Sequence, residues 1–190
     1  MKDLQRVEVA SVKELREWFE QYHSQEQSIW LVTYKKNVPN KYVSIKEVLD
    51  EVLCFGWMDG RRMKLDETRT MQLLSPRKTE HWSKSYKDRV AQLTQDGRMH
   101  ESGLKAVEVA KQSGAWDFMN DVDALIVPDD LQQALENHPP ALENYANFPD
   151  SVKRDILRWI KLAKKQETRE KRIQETASKA SRNKRASGTR

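Results

Sequence analysis

Leu15, Trp18, Phe19 and Tyr22 recur at helical spacing directly after Ser11 and Glu14, whose S-x-x-E separation is a capping box. The pattern predicts an opening helix with that face in the core. In "SIWLVTYKK", residues 28–36, apolar and β-branched side chains occupy both parities, as they do in a central strand covered on its two faces. "NVPNKYV" reads as a loop. Ser44 and Glu47 form a second capping box ahead of an apolar stripe of Ile45, Val48, Leu49, Val52 and Leu53, and Gly56 stands where a left-handed helix C-terminus belongs.

Beyond Gly56 the period changes from helix to strand. "WMDGRRMKL" and "TRTMQLL" are two strand-like runs separated by a short polar turn, which predicts an antiparallel hairpin. After "SPRKTEHW" only helical patterns follow, at about 85–96, 101–113, 129–137, 140–147, 151–165 and 167–180. Gly97 and Gly114 close the first two, and Pro128, Pro139, Pro140 and Pro149 sit at or before the starts of later ones, where a missing N–H is harmless. The order helix, strand, helix, hairpin, helices predicts an α+β fold: a small antiparallel sheet with flanking helices, followed by a C-terminal helical region. The expected organisation is an α+β domain over 1–120, a helical domain over 121–182 and a disordered basic tail over 183–190.

Composition narrows the function classes. The 190 residues are 33% charged and 37% apolar, and no run approaches the roughly 18 apolar residues of a membrane span. The N-terminus lacks the apolar core and small-residue cleavage site of a secretory signal, so the expected location is cytoplasmic. A single cysteine excludes an internal disulfide and a cysteine-rich zinc site. The net charge of +5 is uneven: residues 161–190 hold eleven Lys/Arg against three Asp/Glu, a net of +8, leaving −3 on the first 160. A nucleic-acid partner would therefore be expected at the tail rather than on the body.

The chemistry concentrates in two clusters. Trp57, Asp59, Gly60 and Arg61 combine an aromatic wall, an acid and a guanidinium next to a flexible step, a composition suited to a small-ligand pocket; Asp-Gly is equally turn or bulge chemistry. Arg77, Lys78, His81, Trp82 and Ser83 follow the hairpin, where an arginine can grip a phosphate or carboxylate and a tryptophan can stack on a flat group, with Ser83 also a helix cap. Hairpin closure would bring 57–62 near 75–82, and the candidate ligand-binding set is Trp57, Asp59, Arg61, Arg77 and Trp82. The partner expected there is an anionic small ligand or a protein. An enzymatic alternative would use Asp59, Arg61 or Glu51 in the same cleft. Cys54 lies in the last turn of its helix, where the dipole opposes a thiolate, so its expected role is packing. The four histidines make no HExxH or i, i+4 pairs, and no glycine-rich phosphate loop or nucleophile elbow occurs, so neither a metal nor a cofactor is expected.

Taken in order, "EVLCFGWMDGRRMKLDE", "SPRK" with "WSK", "DGRMHESGLKAVEVAKQSGAW" and "RWIKLAKKQETREKRI" resemble the bacterial YdeI/OmpD-associated family, also called bacteriocin-protection proteins, from about residue 11 to 173. The resemblance implies a bacterial stress-protection protein with an N-terminal α+β portion and a C-terminal helical portion, linked to tolerance of bacteriocins or antimicrobial peptides. It supplies no catalytic residue or cofactor. The chain departs from the family pattern at Gln166, where a proline is usual, and at Tyr86, where an asparagine is frequent.

Overall fold

The computed structural model describes residues 4–78 and 81–186. Its backbone forms two units, Met1–Phe118 and Met119–Arg190. The first is α+β. A four-stranded sheet in the order β1-β2-β4-β3 is built from β1 (Arg6–Glu8), β2 (Ile29–Tyr34), β3 (Trp57–Lys64) and β4 (Arg69–Pro76). Both β2–β4 and β3–β4 are antiparallel, whereas β1 runs parallel to β2, so the expected antiparallel sheet acquires one parallel edge. The unit's helices are α1 (Val12–Tyr22), α2 (Ile45–Cys54), α3 (Lys84–Gln95) and α4 (Glu101–Gln112). The loop after β2 contains a 3-10 turn, Pro39–Lys41.

Local chemistry starts these helices where the pattern places them. Ser11 Oγ accepts from Glu14 N at the head of α1, and at α2 the Ser44 and Glu47 capping box is complete in both directions. Gly56, Gly97 and Gly114 follow helices with φ of 73°, 66° and 77°. One sheet face carries Ile29, Leu31, Trp57 and Leu74 against Leu15 and Phe19 of α1, Val48, Val52 and Leu53 of α2, and Leu93 of α3, all buried in one core. The opposite face gathers Trp30, Val32 and Met71 with Leu4, Leu65 and Leu73.

A β-bulge interrupts β3. Asp59 pairs with Leu74 and Arg62 with Gln72, so Gly60 and Arg61 together oppose Leu73. The extra residue changes the parity of the strand and turns Arg62 toward the helix-covered face. There it donates to Thr70 Oγ1 at 2.8 Å and Thr33 Oγ1 at 3.1 Å. Burial lowers the pKa of this guanidinium.

The helices of the first unit are tied by charge as well as by the core. Asp50 and Glu51 on α2 are 3% and 1% exposed. Glu51 accepts from Arg16 of α1 at 3.1 Å and from Arg98 at 2.7 Å, while Asp50 is bound by Arg89 of α3 and, at 3.3 Å, by Arg98. Each buried carboxylate thus has two guanidinium partners, which offsets its desolvation.

The second unit is helical: α5 (Asn120–Asp123), α6 (Asp129–Glu136), α7 (Ala141–Ala146), α8 (Asp150–Lys161) and α9 (Gln166–Ala180). Leu131 and Leu135, Tyr145, Ile156, Leu157 and Ile160, and Ile173 and Ala177 are among its buried side chains from α6, α7, α8 and α9. Of the segment expected to be a disordered tail, 187–190 lie outside the described residues, while Lys184 N bonds Lys179 O at 2.9 Å and Ala186 is buried. Among the described residues no helix is long and apolar enough to cross a membrane.

Candidate functional site

α4 meets the end of α2. Its first turn rests on the last turn of α2: His100 N donates to Cys54 O at 3.0 Å, and Ser102 Oγ donates to Phe55 O at 3.0 Å. The positive end of one helix therefore faces the negative end of the other. Gly103 makes the approach feasible, since a Cβ there would lie 2.1 Å from Cys54 O. Gly56 contributes from the other side, with a left-handed φ and a Cβ position 2.8 Å from Ser102 O. The same Gly56 offers its carbonyl to Arg77 N at 3.0 Å, and Trp57 pairs with Pro76, so the end of β4 is held beside the start of β3.

This junction encloses a cleft of about 510 Å³. Phe55, Trp57, Pro76, Ala106 and Val109 supply its apolar wall, and His23, Ser24 and Ser102 its neutral polar groups. Its cations are Arg77 and Lys78 from the end of β4 and Lys105 from α4, and no carboxylate lines it among the described residues. Trp57 is fixed in place: its indole N–H donates to His23 O at 2.8 Å and its ring meets Phe19 and Trp18 edge-on. His23 and His100 stand 4.5 Å apart, and the His100 ring stacks on Phe55 at 4.8 Å. Burial, reinforced by His23 and Arg16, lowers the pKa of His100. Its Nδ1 accepts from Ser102 N at 3.2 Å, capping α4 in the neutral form.

The five residues expected to share a ligand site divide as follows. Trp57 and Arg77 line the cleft. Trp82 lies beneath it, 1% exposed, and the Arg77 guanidinium stacks 4.0 Å from its ring centroid. Asp59 is outside the lining and accepts from Tyr86 OH at 2.5 Å and Gln72 Nε2 at 3.4 Å. Tyr86, in turn, has its ring 5.7 Å from the Arg77 guanidinium. Asp59, Tyr86, Arg77 and Trp82 therefore form one connected layer behind the cleft. Arg61 is separated from them: it is exposed and lies over Trp30, on the sheet face away from these helices, because the bulge turns it there. Glu51 is buried in its arginine pairs.

Lys105, Ser102 and His23 were not among the expected residues. The available signal was Gly103, an isolated glycine inside the helical run "ESGLKAVEVAKQ", which marks a close backbone approach. Cys54 is fully buried at the end of α2, and burial together with the Glu51 charge pushes its thiol up to about 11, so it packs rather than reacts. Among the described residues no group of three or more His, Cys, Asp or Glu side chains is placed to hold a metal ion.

Residues 7–106 match a family described as Domain of unknown function (DUF8412), and residues 124–183 match the family described as Bacteriocin-protection, YdeI or OmpD-Associated. The cleft lies within the span of the first match apart from Val109, and the second spans most of the helical unit. Of the segments that resemble the bacteriocin-protection family, only "RWIKLAKKQETREKRI" falls inside the residues matching it. No curated protein and no solved structure matches the chain.

Proposed function

For a chain that belongs to the family described as Domain of unknown function (DUF8412) and carries a YdeI- or OmpD-associated segment, we propose a binding function: its first unit takes up a small anionic ligand. The observation that carries this reading is the charge of the cleft, where Arg77, Lys78 and Lys105 converge on an aromatic wall with no lining carboxylate among the described residues. Arg77 presents a planar fork of donors suited to phosphate or carboxylate, and its stacking on Trp82 limits the rotamer freedom lost on binding. Phe55, Trp57 and Val109 would accommodate an apolar or flat part of the same ligand. Asp59 acts behind the cleft, holding Tyr86 against Arg77. In a bacterial stress-protection protein such a module would sense or sequester a metabolite rather than transform it.

Thermal-shift and calorimetric titrations with inorganic phosphate, adenosine monophosphate and citrate test this reading. At least one probe should raise Tm in a concentration-dependent way. Arg77→Ala and Lys105→Ala should each weaken that probe about tenfold or more, as loss of a charge-assisted hydrogen bond of about 1.5–3 kcal/mol requires. Arg61→Ala should leave it unchanged. Equal affinity in wild type and Arg77→Ala would overturn the assignment.

A further inference from the structure

The cleft is larger than a bare anion needs. Its volume of about 510 Å³ falls within the roughly 300–1,000 Å³ of small-molecule sites, so a phosphate or carboxylate held by its cations leaves most of the space for a further part of the ligand. The faces of the aromatic side chains are already taken. The Phe55 ring is stacked on Phe19 at 5.2 Å and on His100 at 4.8 Å, Trp57 is 1% exposed, and Trp82 is covered by the Arg77 guanidinium at 4.0 Å. A flat ring entering the cleft would meet edges rather than a face to stack on. The apolar surface that remains open is aliphatic: Pro76 and Ala106 are half-buried and Val109 is 45% exposed. On both walls this surface adjoins a cation. Pro76 ends β4 and is followed by Arg77 and Lys78, while Lys105, Ala106 and Val109 share one flank of α4.

We infer, on the anion-binding reading of this cleft, that its ligand is an amphipathic anion, a straight aliphatic chain ending in a carboxylate or phosphate. The head group lies against Arg77, Lys78 and Lys105, and the chain runs over Pro76, Ala106 and Val109. A fully buried methylene raises affinity about fourfold. With the Val109 side of the cleft open to solvent, about half of that free energy is realised, which gives about fourfold for each two methylenes.

Isothermal titration calorimetry of the full chain with butanoate, hexanoate and octanoate, and with butyl, hexyl and octyl phosphate, tests the inference, with circular dichroism confirming the fold of each variant. In at least one series affinity should rise about fourfold for each two methylenes. Val109→Ser should weaken the octyl-length probe of that series about threefold more than the shortest one. Leu104→Ser, at a residue 46% exposed on the same helix but outside the cleft lining, should change neither. Lys105→Ala should weaken every length by one common factor. Adenosine monophosphate should bind within about threefold of ribose 5-phosphate, since its base finds no face to stack on. Affinity independent of chain length, equal losses in the Val109 and Leu104 variants, or adenosine monophosphate binding far tighter than ribose 5-phosphate would overturn the aliphatic chain and leave the anion site standing. Binding of neutral 1-octanol as tight as that of the longest anions, or no binding by any of these anions, would overturn both.

Discussion

Gly103→Ala reverses a general expectation, because glycine inside a helix normally costs about 1 kcal/mol relative to alanine, so the substitution at an open site would stabilise. Here the new methyl group would lie 2.1 Å from Cys54 O, 2.7 Å from Cys54 C and 2.9 Å from Leu53 O, all main-chain atoms that no side-chain rotation can clear. α4 must then draw back from the end of α2. Retreat breaks the His100 N to Cys54 O and Ser102 Oγ to Phe55 O hydrogen bonds, at about 1 kcal/mol each, and overpacking adds about 1–3 kcal/mol. Set against the helix-propensity gain of about 1 kcal/mol, the net loss is about 2–4 kcal/mol. Urea unfolding followed by tryptophan fluorescence measures it, as a fall in midpoint at unchanged slope. Because Ser102, Lys105 and Ala106 line the cleft, the variant should also bind anions more weakly than its stability alone would predict. A neutral or stabilising Gly103→Ala would refute the close helix-on-helix contact and the wall built on it.

The remaining predictions concern titration, reactivity and the ion-pair network. His100 has a pKa below its ordinary 6.5, so the unfolded chain takes up the proton more readily; stability is full above about pH 6.5 and falls as pH drops through the lowered native value. Tm measured from pH 8 to pH 5 should fall more in wild type than in His100→Asn, which keeps a capping acceptor, and parallel curves would contradict the capping role. With its thiol pushed up to about 11, Cys54 should resist Ellman's reagent at pH 8 in the folded protein and react fully in urea; rapid labelling of native protein would place it at the surface. Arg98→Ala leaves two buried carboxylates short of a partner and should cost about 3–5 kcal/mol by urea titration, whereas an exposed ion pair would cost under about 1 kcal/mol.

Much of the fold was legible because its signals are local. The Ser11 cap, the complete Ser44 capping box, the three left-handed glycines and the hairpin after Gly56 are short-range patterns, and most helix limits fall close to those the periodicity predicts, whereas at α1 Glu14 accepts from Ala10 N instead of closing the box on Ser11 and α8 ends at Lys161. β1 escaped because three residues, Arg6–Glu8, are too few for a period, and their pairing with Trp30, Leu31 and Val32 is a parallel, non-local contact. The bulge mattered more. Asp-Gly was read as bulge chemistry, yet its position decides that Arg62 rather than Arg61 turns toward the helices. Trp57, Arg77 and Trp82 are near one another because the hairpin closes as its pattern requires. The cleft's second wall depends on α4 packing against α2, a tertiary contact announced only by one glycine.

The central claim, an anion cleft between the α2–β3 turn and α4, is tested most directly by a nitrogen-edited NMR titration of the full chain with adenosine monophosphate and, separately, inorganic phosphate. The account predicts saturable shifts at Gly56, the Trp57 indole N–H, Arg77 and residues 102–106, with the Arg61 and Arg62 signals unmoved. Shifts centred on Arg61 and Arg62, or no shift at the cleft with either probe, would contradict it.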